Sequence, residues 1–434
     1  MAWKNSEELA SFRKLTMNCV IIVGGTTSDN LPPLPGRDVL CVSKSRAKAD
    51  PKVFSTIEDA YAMALALDKP IFIAGGGYTY DWVLTRGIYV DGVRVFPRKI
   101  YHSVLREKYD CDTFFRMPNY GWECEESIEY ETFTLKILVY NSIGEGQYKS
   151  LLKKTLCTSL TEGRNGLTHS IFAPRLEFDL TRGFPLLTTK KMFLRGIVEE
   201  LLFFIRGDTD TSKLEEKKVN IWKGNTNREF LNKMGMESRP AGVMGPMYGY
   251  QWRFFNAEYD ENRAAARGPG IDQLKMVVNQ IISDPHSRRI LLTDYNPVQA
   301  KQGVLYPCHS IIIQFYVREV NGVKHLDMTC YNRSSDLFLG LPFNIASSAL
   351  FLTLMAKITG CIPRRFILTL GDAHIYTNHV EAVKEQLTRI PYTFPTLNIA
   401  KDIKSVEDVE KLSASDITVS NYRCYRSIKA EMVA

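Results

Sequence analysis

Three short apolar runs constrain the first third of this chain more than any other feature: VIIV at 20–23, VLCV at 39–42 and IFIA at 71–74. Each is bounded by glycine, proline or a polar cluster, and none alternates apolar with polar residues. Continuous apolar strands of that length are buried on both faces, the habit of a mostly parallel sheet. Segments 8–15 and 56–67 carry apolar residues at helical spacing, so the expected class here is α/β. Two of the runs end in glycine: Gly24-Gly25-Thr26-Thr27 after the first, and Gly75-Gly76-Gly77 after the third. Glycine permits close backbone approach, and a helix N-terminus beyond it attracts phosphate. Two tight turns are the bland alternative, since neither stretch is G-x-G-x-x-G.

At 434 residues the chain is too long for one ordinary core. The polar, glycine-containing stretch NSIGEGQ at 141–147 reads as a joint, giving domains at 1–142 and 148–434 with a linker at 143–147. Beyond it a helix is expected over 148–157. RGIVEELLFFIRG at 195–207 is a strongly apolar helix ended by glycine, with Glu199 and Glu200 side by side. At helical spacing only one of the two easily faces solvent. A surface position suits Glu199 and not Glu200. A carboxyl forced toward an apolar face is costly unless paired, and such groups often serve in acid–base chemistry. NIASSALFLTLMAKITG at 344–360 reads as a second buried helix ended by glycine.

VLYPCHSIIIQFYV at 304–317 places Cys308 between a proline and a histidine at the entrance to a strand. Cysteine commonly packs as a small hydrophobe. A thiol held by a proline and a strand is also how a nucleophile is fixed. The nine cysteines form no C-x-x-C pair, so free thiols in a reducing compartment, and a cytoplasmic protein, are expected. The first residues lack the apolar segment of a secretory signal, and no apolar stretch approaches the roughly 20 residues that span a bilayer. No metal site is expected, because His374 and His379 have no cysteine partners nearby. The net charge of +7 is dispersed along the chain. A phosphorylated small molecule accounts for it as well as nucleic acid does, so no specific nucleic acid is expected.

Seven segments now combine: FPLLTTKK, IWKGNTNREFL, GPMYGYQWR, SRRILLTDYNP, YPCH, YNRSSDLFLGLPFNIAS and LGDAHIYTNH. In this order and spacing, the chain from about 146 to 434 resembles thymidylate synthase, an α+β fold. The first third resembles dihydrofolate reductase through Trp3, Glu8, Phe12 and Thr16 (W-x4-E-x3-F-x3-T), LPGR at 34–37, GGGYTY at 75–80 and DTFF at 112–115. The whole resembles the reductase–synthase fusions. The synthase resemblance implies methylation of dUMP to dTMP with 5,10-methylenetetrahydrofolate, through a covalent adduct of Cys308 with carbon 6 of the base. It implies Arg333 as the positive charge beside the thiol, Glu200 as the carboxylate moving protons around the pyrimidine, and Tyr248 as an aid to removing the carbon 5 proton. Arg164, Arg333 and Ser334 become phosphate ligands. Arg288 and Arg289 come from the other subunit of an obligate homodimer. His374 and Tyr376 become ribose contacts, with His309 in a structural or network role near the substrate. Asp336, Trp222 and Lys190 become folate contacts. Asn344 reads the base, because a carboxamide can accept from N3–H and donate to O4 of uracil.

The sequence also departs from both patterns. The loop carrying Arg164 is one residue short of R-T-G-x-G. Phe203, Phe254, Tyr295 and Asn332 stand where tryptophan, histidine, tryptophan and glutamine are common. In the reductase part, the family pattern begins about 20 residues earlier, with a central strand and a lid loop. The resemblance leaves Glu8 for the pterin, Phe12 and Arg37 for folate, and Thr27, Lys44, Gly75 and Gly76 for NADPH. An α/β sheet lacking its first strand, and a weak or inactive reductase, are therefore expected. The start of the chain would then be misassigned or the domain degenerate. A fully bifunctional enzyme that also reduces dihydrofolate with NADPH is the first alternative, and an inactive scaffold binding nucleic acid the second.

Overall fold

A computed structural model describes residues 5–47, 50–90, 93–111, 114–115, 122–140, 144–163, 165–320 and 322–431. Trp3, Asp112, Thr113, Arg164 and residues 141–143 of the joint lie outside the described residues. The chain divides into two compact units, Met1–Asn141 and Ser142–Ala434.

The first unit runs α1 (Ser6–Thr16), β1 (Val20–Gly24), α2 (Gly25–Asn30), β2 (Asp38–Val42), β3 (Val53–Phe54), α3 (Ile57–Ala66), β4 (Ile71–Ile73) and α4 (Gly77–Arg86), then β5 (Ile88–Val90), β6 (Val93–Val95), β7 (Lys99–Leu105), β8 (Trp122–Glu129) and β9 (Phe133–Tyr140). The three apolar runs become β1, β2 and β4, in a parallel sheet ordered β3-β2-β1-β4. Asn5 starts α1 by accepting the Glu8 amide at 3.0 Å, and Thr56 caps α3 in the same way. A second, antiparallel sheet is ordered β7-β9-β8. Among the described residues no strand joins β4 to β7, so each ends its own sheet. Phe72 of β4 and Tyr101 of β7 nevertheless place their rings 5.6 Å apart.

The second unit begins with α5 (Glu145–Leu156), three residues earlier than the helical pattern suggested. Glu145, in the stretch read as the joint, is buried and anchors the helix. Its carboxylate accepts from the amides and hydroxyls of both Thr188 and Thr189. There follow β10 (Leu160–Gly163), β11 (Gly166–Phe172), β12 (Arg175–Asp179), α6 (Leu194–Ile205), α7 (Ser212–Glu215), α8 (Lys223–Thr226), α9 (Arg228–Lys233), α10 (Gly249–Phe254), β13 (Glu258–Asp260), β14 (Ala265–Arg267), α11 (Gln273–Ser283), β15 (Leu291–Thr293), β16 (Ile312–Val320), β17 (Val323–Asp336), α12 (Gly340–Ile358) and β18 (Ile362–Tyr376). The main sheet is ordered β10-β11-β18-β17-β16-β15, antiparallel except for the β17–β18 pair.

Helices α6 and α12 cross the core. Helix α12 corrects one expectation: it spans 19 residues and is apolar enough to cross a membrane, yet most of it is buried inside this unit. α6 corrects another. Glu199 is buried along with Glu200, compensated by Lys217 Nζ at 2.7 Å and by the Ala414 amide. Gly249 opens α10 because nothing larger fits: a Cβ there would meet the Phe204 carbonyl oxygen of α6 at 2.0 Å.

Candidate active site

Cys308 lies in the turn that feeds β16, and three contacts hold that turn. Tyr248 Oη accepts the Cys308 amide at 3.3 Å. The Ser334 amide donates to the Cys308 carbonyl, and the buried Asn332 carboxamide accepts the Ser310 amide at 2.8 Å. Asn332 had drawn notice only as a departure from glutamine. Its amide function, which either residue supplies, is what the turn uses. The Cys308 thiol stands 3.4 Å from the Tyr248 hydroxyl. Arg333 reaches the same turn, with Nε donating to the Pro307 carbonyl at 3.2 Å. Burial pushes the Cys308 thiol up, while the Tyr248 hydroxyl and the Arg333 charge pull it down. The first effect wins, so Arg333 alone does not make the resting thiol acidic.

Tyr248 caps α10 with φ 49° and ψ −112°, a strained backbone for a side chain of this size, costing about 1–3 kcal/mol. The surrounding packing holds it there. His309 stacks on its ring at 4.4 Å and Phe204 at 5.1 Å. Burial keeps His309 neutral, with a pKa lowered to about 4, which suits a packing role. The Trp222 ring lies 5.7 Å from Tyr248, and its Nε1 donates to Glu200 Oε1 at 2.8 Å. Glu200 is buried, and burial raises its pKa to about 7 despite the Trp222 bond. A carboxyl poised there can both give and take a proton near neutral pH.

The C-terminal ends of β17 and β18 bring the other candidates together. Ser334 pairs with Asp372 and Asp336 with His374 across the ladder, and His374 and Tyr376 meet edge to face at 5.0 Å. The Asp336 Oδ1 accepts the Phe338 and Leu339 amides at 2.8 and 3.0 Å, while Oδ2 engages no described residue. A half-buried acceptor of that kind fits the N–H donors of a pterin. Lys190, buried with a pKa lowered to about 8, donates to the Phe338 carbonyl and lies within the field of Asp336. It therefore supports this corner from beneath. Asn344 is half-buried near the head of α12, and no described residue bonds its carboxamide. Arg288 and Arg289 are exposed on the approach to β15, without an ionic partner among the described residues.

In the first unit, Glu8, Phe12 and Thr16 follow one face of α1. Glu8 accepts from Ser103 of β7 at 3.1 Å, and Arg37 Nη1 donates to Thr16 at 3.3 Å. The two glycine turns meet. The Gly24 amide donates to the Gly75 carbonyl at 3.0 Å, and a Cβ on Gly75 or Gly76 would touch Thr27 at 3.1 Å. Helices α2 and α4 both begin there without a side-chain cap, leaving backbone N–H groups that fit the pyrophosphate of a dinucleotide. Lys44 is exposed. Arg46 stands nearer: a Cβ on Gly25 would meet its guanidinium at 2.7 Å, although Asp29 already pairs with it at 2.5 Å. Spacing alone gave Arg46 no prominence, since its place at the turn depends on how β2 ends.

The thymidylate synthase family model matches residues 146–434 and the dihydrofolate reductase model residues 1–140. The chain is 35% identical over 453 residues to the bifunctional dihydrofolate reductase-thymidylate synthase of Paramecium tetraurelia, covering all of this chain and 94% of that one. It is 36% identical to the Leishmania major protein of the same name, over 96% of this chain and 81% of the other. Against the thymidylate synthase of Herpesvirus ateles the identity is 45%, over 66% of this chain and 97% of that one. Thymidylate synthases bind dUMP and use methylenetetrahydrofolate, and dihydrofolate reductases use NADPH. With both family models matched and such relatives aligned along its whole length, this chain is an enzyme that belongs to the bifunctional dihydrofolate reductase–thymidylate synthase family.

Proposed function

We propose that the second unit converts dUMP to dTMP through a Cys308 adduct, and that the first unit is a weak or inactive reductase. The carrying observation is one chain of contacts from the half-buried Cys308 into the core, Cys308–Tyr248–Trp222–Glu200. It sets a nucleophile and a carboxyl with a pKa near 7 around the same ring cluster. In this reading the Cys308 thiolate adds to carbon 6 of the uracil, and the electron pair of the 5,6 double bond moves toward carbon 5 and O4. Glu200 moves protons at that side of the ring through water. Tyr248 takes part in removing the carbon 5 proton, and Asn344 selects uracil through N3–H and O4. Arg333, Ser334 and Arg164 hold the phosphate, with His374 and Tyr376 at the ribose. 5,10-Methylenetetrahydrofolate supplies the one-carbon unit and the hydride, with Asp336, Trp222 and Lys190 as its contacts.

The reading includes a homodimer. The outward face of β15 and β16 exposes Leu291, Ile312 and Tyr316, an apolar strip suited to a second copy, beside the unpaired Arg288 and Arg289. If those arginines serve the other subunit, two defective chains complement each other. One carries Cys308→Ser and the other Arg289→Glu. On random mixing half the dimers are heterodimers with one complete site each, so activity should return to about a quarter of wild type. No recovery with heterodimers present would mean that Arg289 acts within its own subunit.

For the first unit, β4 and β7 are each paired on one side only among the described residues, and Lys44 is exposed. Glu8 is held by one bond from Ser103 and Arg37 by one bond to Thr16, and a misplacement of about 1 Å costs roughly 100-fold in rate. The glycine cradle and the Glu8–Ser103 bond favour the other reading, a working reductase. Steady-state oxidation of NADPH by the purified chain with dihydrofolate distinguishes the two. Turnover within about 100-fold of the synthase rate would overturn the weak-reductase reading.

A further inference from the structure

Asp294 follows β15 directly. Carrying the Thr293–Ile312 register on by one step sets it opposite Ile311, three residues along the chain from Cys308. It shares its face with Leu292, and both look into the core, at 1% and 0% exposure. Among the described residues neither carboxyl oxygen has a hydrogen-bond partner beyond its own backbone. An ionised carboxylate at such a place would be uncompensated, and the group keeps its proton instead. Burial accordingly holds it well above the usual carboxylate range. If ionised, its charge would act on the Tyr248 hydroxyl and the Cys308 thiol, disfavouring ionisation of both. The other titratable or charged groups on the elements packed around it are committed or distant. Arg253 of α10 is paired with Asp272 and Glu410, and Lys275 of α11 with Glu407. Glu200 of α6 is bonded to Trp222, His309 is neutral, and Arg333 serves the Pro307 turn.

We propose that Asp294 is a further positioning residue of the synthase site, a carboxylic acid whose proton must stay in place for Cys308 to ionise beside it. A thiolate next to a neutral acid meets no like charge, whereas a thiolate next to a carboxylate does, so the two groups lose protons competitively. The loss of the Asp294 proton then sets the alkaline limit of the synthase. This rests on Cys308 as the nucleophile, and the test therefore reads the thiol itself as well as turnover.

Asp294→Asn is nearly isosteric and neutral at every pH. Cys308 alkylation by iodoacetamide, followed from neutral to strongly alkaline pH, should coincide in the two proteins at neutral pH. At alkaline pH the variant should run ahead by about tenfold, with kcat persisting to higher pH. The infrared difference between wild type and variant should contain the carbonyl band of a neutral carboxylic acid at neutral pH, fading over the same alkaline range. Superimposable alkylation profiles, or no neutral-acid band, would overturn the proposal. Loss of dTMP synthesis as the only change would do so too, because it would mark Asp294 as packing alone. The Cys308→Ser variant tests the nucleophile separately.

Discussion

Cys308→Ser is expected to lower dTMP formation by on the order of 10⁴-fold or more while leaving dUMP affinity nearly intact. The same burial that pushes the Cys308 thiol up acts on a hydroxyl that is already a far weaker acid, so no useful alkoxide forms at neutral pH. Binding should survive because the groups proposed for the phosphate and base, Arg333, Ser334 and Asn344, lie on other elements. The turn itself is held by backbone bonds to Tyr248, Ser334 and Asn332, which serine leaves in place. Calorimetric titration with dUMP and a single-turnover assay for dTMP check the two halves. Near-normal synthesis by the variant would remove the covalent mechanism from consideration.

Glu200→Gln should produce opposite effects on activity and stability. Activity should fall by about 10²- to 10⁴-fold, the usual contribution of a positioned acid–base group. Stability at slightly alkaline pH should rise. Glu200 ionises near 4.5 when unfolded and near 7 in place. The folded protein thus binds its proton more tightly, and that advantage, full below about 4.5, is lost as pH climbs to about 7. The glutamine variant has no such loss and can still accept the Trp222 indole bond. Its advantage should open between those two pH values and level off above them, at on the order of 3 kcal/mol. Urea unfolding midpoints at acid and at mildly alkaline pH measure it. Equal midpoints at both would mean that Glu200 is not a desolvated acid.

Much of the candidate site is legible in the sequence. The Pro307-Cys308-His309 step marked Cys308 as a candidate nucleophile, a role that the family resemblance implied, and the segment that becomes α6 singled out Glu200, since a carboxyl within a nearly continuous apolar helix has few places to go. The strands at 20–23, 39–42 and 71–74 emerged as parallel neighbours, because burial on both faces leaves its mark in consecutive residues. Glu199 was misjudged for a related reason. Its burial depends on Lys217 and Ala414, and helical spacing carries no trace of partners 18 and 215 residues away.

By itself, then, the sequence determined which segments become buried strands and helices, and which residue types carry the chemistry, because periodicity and composition act within a few neighbouring residues. The tertiary structure alone decided how those groups are tuned. The Trp222 ring between Glu200 and Tyr248, the buried Asp294 with no partner among the described residues, the Arg46 guanidinium at Gly25 and the separate β4 and β7 edges all arise where distant segments meet. Desolvation depends on what surrounds a group from every side, and only the folded chain supplies that.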